Sequence, residues 1–354
     1  MLAPAINTAN DLLTQALNEI VRLDKYANAA DNIVIGKLPE DPAWLASVRS
    51  RTAALGDAGV AWMMEKPELW STVLVQFTNY ATAFAGVAQL AQGGKVGTAA
   101  QWVDLLNQVL LPQLAQAVAQ TNAVDVRVQK ALQRFSSIQP LLEASINEGW
   151  NELEHEEQQM VKLAAELTHL QDKVASLESS ITSGVISSGQ GVITTSVKTI
   201  YSIVAEGGAA FSFLSLGVSV ITVGKSYYDL ITATNDIADT LLEIAALQLK
   251  ASEEAQAAAG TKLVLQLVYN LEKSFLAIQD VLPQIAALWG AEQEKVQSAV
   301  EALQSGANPQ TFFEIYSFPT ANANWQAIND FAMAIPSIKR EVGKPVLLNP
   351  LDPI

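Results

Sequence analysis

Hydrophobic positions recur every three to four residues along most of this chain and lose that rhythm in one stretch. Leu163, Leu167, Leu170, Val174, Leu177 and Ile181 follow spacings of 4, 3, 4, 3 and 4, with Met160 leading in. That repeat is the seam of a coiled coil. Upstream, Ile146, Trp150 and Leu153 keep it more loosely; downstream, Leu230, Ile237, Leu241 and Ile244 resume it, with Thr234 at the intermediate position. None of the 13 prolines falls between Leu141 and Leu282, so long helices are permitted there. The pattern predicts an ascending helix over about 141–182 and a descending one over about 226–259, the first roughly 60 Å long. The remaining helices are expected at 4–30 (capped by Asn10 or Asp11), at 43–64 and 68–92 on either side of Pro67, at 98–138 ending near Pro140, and at 262–304 after a bend at Gly260. The tail from Val342 onward carries three prolines and reads as extended or mobile. The fold class is all-α, an elongated bundle of long helices with a coiled-coil hairpin and an inserted hydrophobic head. Residues 1–182 and 226–354 then form a discontinuous helical tail domain, and 183–225 the head.

The head is where charge nearly disappears. Between Ser179 and Gly224 only Lys198 and Glu206 are charged, and the window Gly207–Gly224 has no charge at all. As a helix that window would span ~27 Å, close to a hydrocarbon core of ~30 Å. On a helix, Ser212, Ser215, Ser219 and Thr222 would line up as one polar stripe. Phe211, Phe213, Leu214, Leu216, Val218, Val220 and Ile221 would cover the rest. Such a stripe suits a water-lined channel or close packing through small residues. In the first half, Val192, Ile193, Val197, Ile200 and Ile203 supply the apolar surface. β-branched residues and glycines equally suit strands. GVITTSV (191–197) and FSFLSLGVSVITV (211–223) could pair as a hairpin turning at Glu206, Gly207 and Gly208. Periodicity leaves helix and strand both open. Sequence that supports both states suits a segment that packs as a hairpin in water and turns helical in lipid.

Composition narrows the chemistry. A formal net charge of −15 opposes nucleic-acid binding and steady adsorption to anionic lipid. Protonating carboxylates would relieve that charge, which makes acid a candidate trigger for membrane entry. The absence of cysteine excludes disulfides and thiol nucleophiles. The N-terminus has no basic region followed by an apolar run, so no cleavable signal peptide is visible. His155-Glu156 begins like a zinc-protease motif, but the position four after His155 is Gln159, so the motif fails. His155 also lies in a run of glutamates, where a pH-sensing role is conceivable beside the plain one of a solvated acidic face. No nucleophile elbow or phosphate loop is present. The seven tryptophans avoid the head and read as core, while Tyr201, Tyr227 and Tyr228 are placed for an interfacial belt. No catalytic role, cofactor or metal is assigned.

A helical hairpin whose apolar head (183–224) interrupts two coiled-coil arms (Met160–Ile181 and Leu230–Ile244) resembles the ClyA-type α-pore-forming toxins. That superfamily includes haemolysin BL and non-haemolytic enterotoxin components, Cry6-type toxins, and the motility-associated killing-factor and other tripartite cytolysins. The resemblance implies a soluble secreted protein that binds a target-cell lipid membrane, unfolds its head and assembles with itself or with sister toxin components. Lys198 and Glu206 depart from a head with two full membrane spans, which points toward one component of a multipart toxin. The competing expectation is a soluble coiled-coil scaffold without membrane activity.

Overall fold

The computed structural model describes residues 1–33, 35, 37–92, 96–182, 186–187, 191–192, 197–205, 213–221, 235–248, 250–310, 317–337, 340–342 and 346–348, the strands by their backbone alone. Helices α1 (Ile6–Asp31), α2 (Ala43–Gln92), α3 (Ala99–Leu105) and α4 (Leu111–Glu152) come first. α5 (Glu157–Thr182) then leads into strands β1 (Ile186–Ser187), β2 (Gly191–Val192), β3 (Val197–Ala205) and β4 (Phe213–Ile221). The chain returns through α6 (Asn235–Gln248), α7 (Glu253–Gln304) and α8 (Phe318–Ala334), and ends in β5 (Arg340–Val342) and β6 (Val346–Leu348). The all-α bundle is as expected, and α2 and α7 at 50 and 52 residues make it long.

Several expected breaks do not occur. α2 runs through Pro67, α4 through Pro140, and Gly260 lies inside α7, which also runs through Pro283. An internal proline costs ~3 kcal/mol, but each flanking half is anchored. Around Pro67, Leu55 and Trp62 are buried on one side and Leu69, Trp70 and Val73 on the other. Pro112 leaves a different trace: it lacks the N–H that would meet the Gln108 carbonyl, and Leu106–Leu110 adopts a π-helical turn joining α3 to α4. α1 starts at Ile6 behind Ala5 with no side-chain cap, so Asn10 and Asp11 lie within the helix.

The arms are shorter than the pattern predicts. The ascending one is interrupted at Leu153 and a 3₁₀ turn over Glu154–Glu156, leaving α5 with 26 residues. The descending one is interrupted before α7, where Ser252 caps the helix by accepting from the Ala255 N–H. The two interruptions lie side by side, because the Ser252 N–H donates to Glu156 Oε2 at 2.9 Å. Above them α5 pairs with α6. Met160, Leu163, Leu167 and Leu170 are fully buried, as is Ile244 across the seam. Val174, Leu177, Ile181, Ile237 and Leu241 have side chains outside the described residues, and Leu230 lies outside them altogether.

Aromatic rings fill the bundle core. Trp289 and Trp325 stack at 5.5 Å, Phe77 meets Trp289 at 4.5 Å, and Phe84 stacks on Phe318 at 4.5 Å. Of the seven tryptophans only Trp150 is not deeply buried, and its Nε1–H donates to the Ala258 carbonyl at 2.9 Å. The expectation that tryptophans belong to the core holds.

Candidate functional site

The head is built on one antiparallel ladder. β3 pairs with β4 over nine residues, from Val197 opposite Ile221 to Ala205 opposite Phe213. Strand rather than helix is the local outcome, since Val, Ile, Thr and Tyr dominate β3 and its partner adds Phe213, Val218, Val220 and Ile221. The ladder brackets residues 206–212, so the expected turn residues Glu206, Gly207 and Gly208, with Phe211 and Ser212, lie outside the described residues. Ile193 and Thr222 do as well. The partner of β4 differs from the expected GVITTSV: it is the next segment, VKTIYSIVA, while Gly191–Val192 pairs with Ile186–Ser187 in a small separate ladder. The later segment offers nine residues without glycine, a better match for the nine of β4.

Alternation along β4 places Leu214, Leu216, Val218 and Val220 at positions of one face and Phe213, Ser215, Gly217, Ser219 and Ile221 at those of the other. Val197, Ile200 and Ile203 of β3 are partners of Ile221, Val218 and Ser215. Apolar candidates from the two halves are therefore adjacent in one sheet, and Ser215 and Ser219 share a face with Gly217 between them.

The head does not stand alone at the end of its arms. β4 contacts α1, α5 and α7, β3 contacts α1, and β2 contacts α8. Apolar strands gain by covering themselves against the bundle when the solvent is water. The C-terminal residues, grouped by the sequence pattern with the helical domain, also join the head: β5 and β6 both pair with β3, opposite β4. Among the described residues no helix is long and apolar enough to cross a membrane.

Other candidates are weaker. His155 is exposed beside Glu156 at 3.7 Å, and no group of acidic residues and histidines among the described residues could hold a metal. An open cleft of about 770 Å³ lies between α4, α5 and α7, lined in part by Trp150, His169, Lys262 and Tyr269. There Lys262 Nζ sits 4.6 Å from the Trp150 ring centre, and burial pushes its pKa down. The cleft holds no convergent set of acid, base and nucleophile. A third feature was not legible in the pattern: Glu166 on α5 meets Glu243 on α6 across the arm seam. Burial first, then the hydrogen bond to Glu243 and its charge, push the Glu166 pKa up, while His169 and Lys173 act the other way. Lys173 Nζ donates to Thr240 Oγ1 at 2.7 Å in the same seam.

The bundle of long helices carrying a strand-paired apolar head is a fold shared with components of tripartite α-pore-forming toxins of known structure. No protein-family model matches the chain, and no curated protein sequence does either. Solved structures do. Motility-associated killing factor B from Vibrio cholerae, a cytotoxin, is 34% identical with a TM-score of 0.87, over 100% of this chain and 99% of that one. The chain belongs to the family of that protein. AhlB of a tripartite α-pore-forming toxin from Aeromonas hydrophila shares the fold at a TM-score of 0.70 and 13% identity, covering 98% of this chain and 96% of that one. The Bacillus cereus HblL1 toxin component does so at 0.63 and 14%, covering 96% and 99%.

Proposed function

We propose that this chain is a bacterial pore-forming cytotoxin acting as one component of a multipart system. Its head, residues 183–225, is the membrane-inserting part, and residues 1–182 with the returning helices form the tail that assembles with sister components or with further copies. In this reading Val192, Ile193, Val197, Ile200 and Ile203, together with Phe211, Phe213, Leu214, Leu216, Val218, Val220 and Ile221, face lipid after insertion. Glu206, Gly207 and Gly208 form the leading turn. Ser212, Ser215, Ser219 and Thr222 face water or a neighbouring helix. The protein is secreted, catalyses no reaction and binds no nucleic acid. The supporting observation is the full-length similarity to a cytotoxin, combined with a charge-free window, Gly207–Gly224, of which Phe213–Ile221 is held in β structure.

In water the strands satisfy each other's backbone groups; in lipid, isolated open sheets cannot, so the head is expected to become helical on entry. Flotation with phosphatidylcholine–cholesterol vesicles tests this. Wild type should float, and Leu216→Asp with Val220→Asp should not, because each buried carboxylate costs about 2.5–3.5 kcal/mol at the bilayer centre. Equal flotation of both would remove the head from its role. Absence of binding by both would favour a soluble scaffold. Dye release with and without sister components then separates a complete pore from a partial one.

A further inference from the structure

The end of the chain closes over the edge of the head that β4 leaves free. β5 pairs in parallel with β3 at Val197–Arg340, Lys198–Glu341 and Thr199–Val342, and β6 does so at Ser202–Val346, Ile203–Leu347 and Val204–Leu348. Three steps along β3 from Thr199 to Ser202 correspond to four from Val342 to Val346. The two runs are thus out of step by one residue, so they do not form one continuous ladder with β3. Two short parallel runs are a weak attachment compared with the continuous nine-residue pairing to β4.

Two observations make this attachment a cover with a purpose. Without it, β3 would present an unpaired edge rich in Val and Ile, a template for association with other chains. Charge supplies the second. Lys198 is the one cation between Ser179 and Gly224, and its register partners are apolar Val220 on one side and Glu341 on the other. The segment that brings Glu341 also contains Lys339, Arg340, Lys344 and Asp352. Charges at that density do not follow an apolar strand into hydrocarbon.

We propose that strands β5 and β6 are a latch, keyed by the opposition of Glu341 to Lys198, that holds the head in its water-stable sheet and must leave β3 before the head enters a bilayer. The latch rests on the membrane role proposed above, and its test keeps the two separable. The chain has no cysteine, so Ser202→Cys with Val346→Cys places a single reporter pair at register partners. The disulfide should close in the native protein; failure to close overturns the latch. Flotation with phosphatidylcholine–cholesterol vesicles should be lost in the oxidised form and restored by reduction. Equal flotation of both forms overturns the latch, because the head would then insert with the segment attached. If neither form floats, the membrane reading has failed, and the pairing is still judged by hydrogen exchange. Glu341→Lys should speed exchange of the β3 amides about tenfold, and adding Lys198→Glu should restore protection. Unchanged exchange in Glu341→Lys, or no recovery in the double variant, overturns the charge key.

Discussion

Gly149 shows how tightly single residues fix the base of the arms. A Cβ at this position would lie 2.3 Å from Trp44 Cδ2, so α4 can approach the indole only without a side chain there. The same indole donates from Nε1 to Glu254 Oε1 at 3.2 Å, which ties α2 to the first turn of α7. Gly149→Ala should therefore destabilise the fold by about 1–3 kcal/mol through overpacking, although alanine is the better helix former by about 1 kcal/mol. Gly290→Ala, on α7 with nothing within 4 Å of its added Cβ, should stabilise by about 0.5–1 kcal/mol. Urea unfolding of the two variants checks both signs. At this scale the sequence was informative about type and blind to partners. The tryptophans read as core, and Trp44, Trp62, Trp289 and Trp325 are almost wholly buried. Nothing local tells Gly149 from Gly290, since the difference lies in an indole more than a hundred residues away in the chain.

Among elements, the seam Met160–Leu170 was legible because burial every 3.5 residues is written directly into composition. Proline was misleading. Read locally, Pro67 and Pro140 end helices; in the bundle, buried positions on both sides outweigh the lost hydrogen bond. The breaks that do occur, at Leu153–Glu156 and before Glu253, contain no proline and are paired through Glu156 and Ser252. Above them the arms carry their own pH dependence. Glu166 has its pKa raised, by burial and by Glu243, against the opposing charges of His169 and Lys173. A carboxyl group whose pKa rises on folding binds more protons in the folded state, so its contribution is most favourable in acid. That contribution is lost as pH climbs through the raised pKa. The arms should hold together more firmly at pH 5 than at pH 7. Hydrogen exchange of α5 and α6 should show that difference in wild type, and Glu166→Gln should abolish most of it by keeping the position neutral throughout. Lower amide protection of the arms at pH 5 than at pH 7, each rate taken relative to the intrinsic exchange rate at that pH, would contradict this account. Acid release of the head, if it occurs, must then come from elsewhere than this seam.

Over the whole molecule the net charge of −15 governs how the chain approaches any charged surface. The head was visible in sequence as a charge-poor tract, and helix or strand stayed open because Val, Ile, Thr and Gly suit both a lipid helix and a water-stable sheet. What closed the choice in this form was long-range: β4 lies against α1, α5 and α7, and β3 receives the chain's last strands. No window of neighbouring residues contains those contacts. The charge has a separate consequence that can be read on its own. A surface carrying an excess of carboxylates is repelled by an anionic bilayer, and salt screens that repulsion over a distance of about 8 Å at physiological ionic strength. At pH 7, raising salt from roughly 50 to 500 mM should increase flotation with phosphatidylglycerol-containing vesicles. It should leave flotation with phosphatidylcholine–cholesterol vesicles nearly unchanged. A protein held by a basic patch would behave the opposite way, since screening would remove its attraction. Loss of binding to anionic vesicles on adding salt would therefore place a localised cationic surface, rather than the apolar head, at the first contact with lipid.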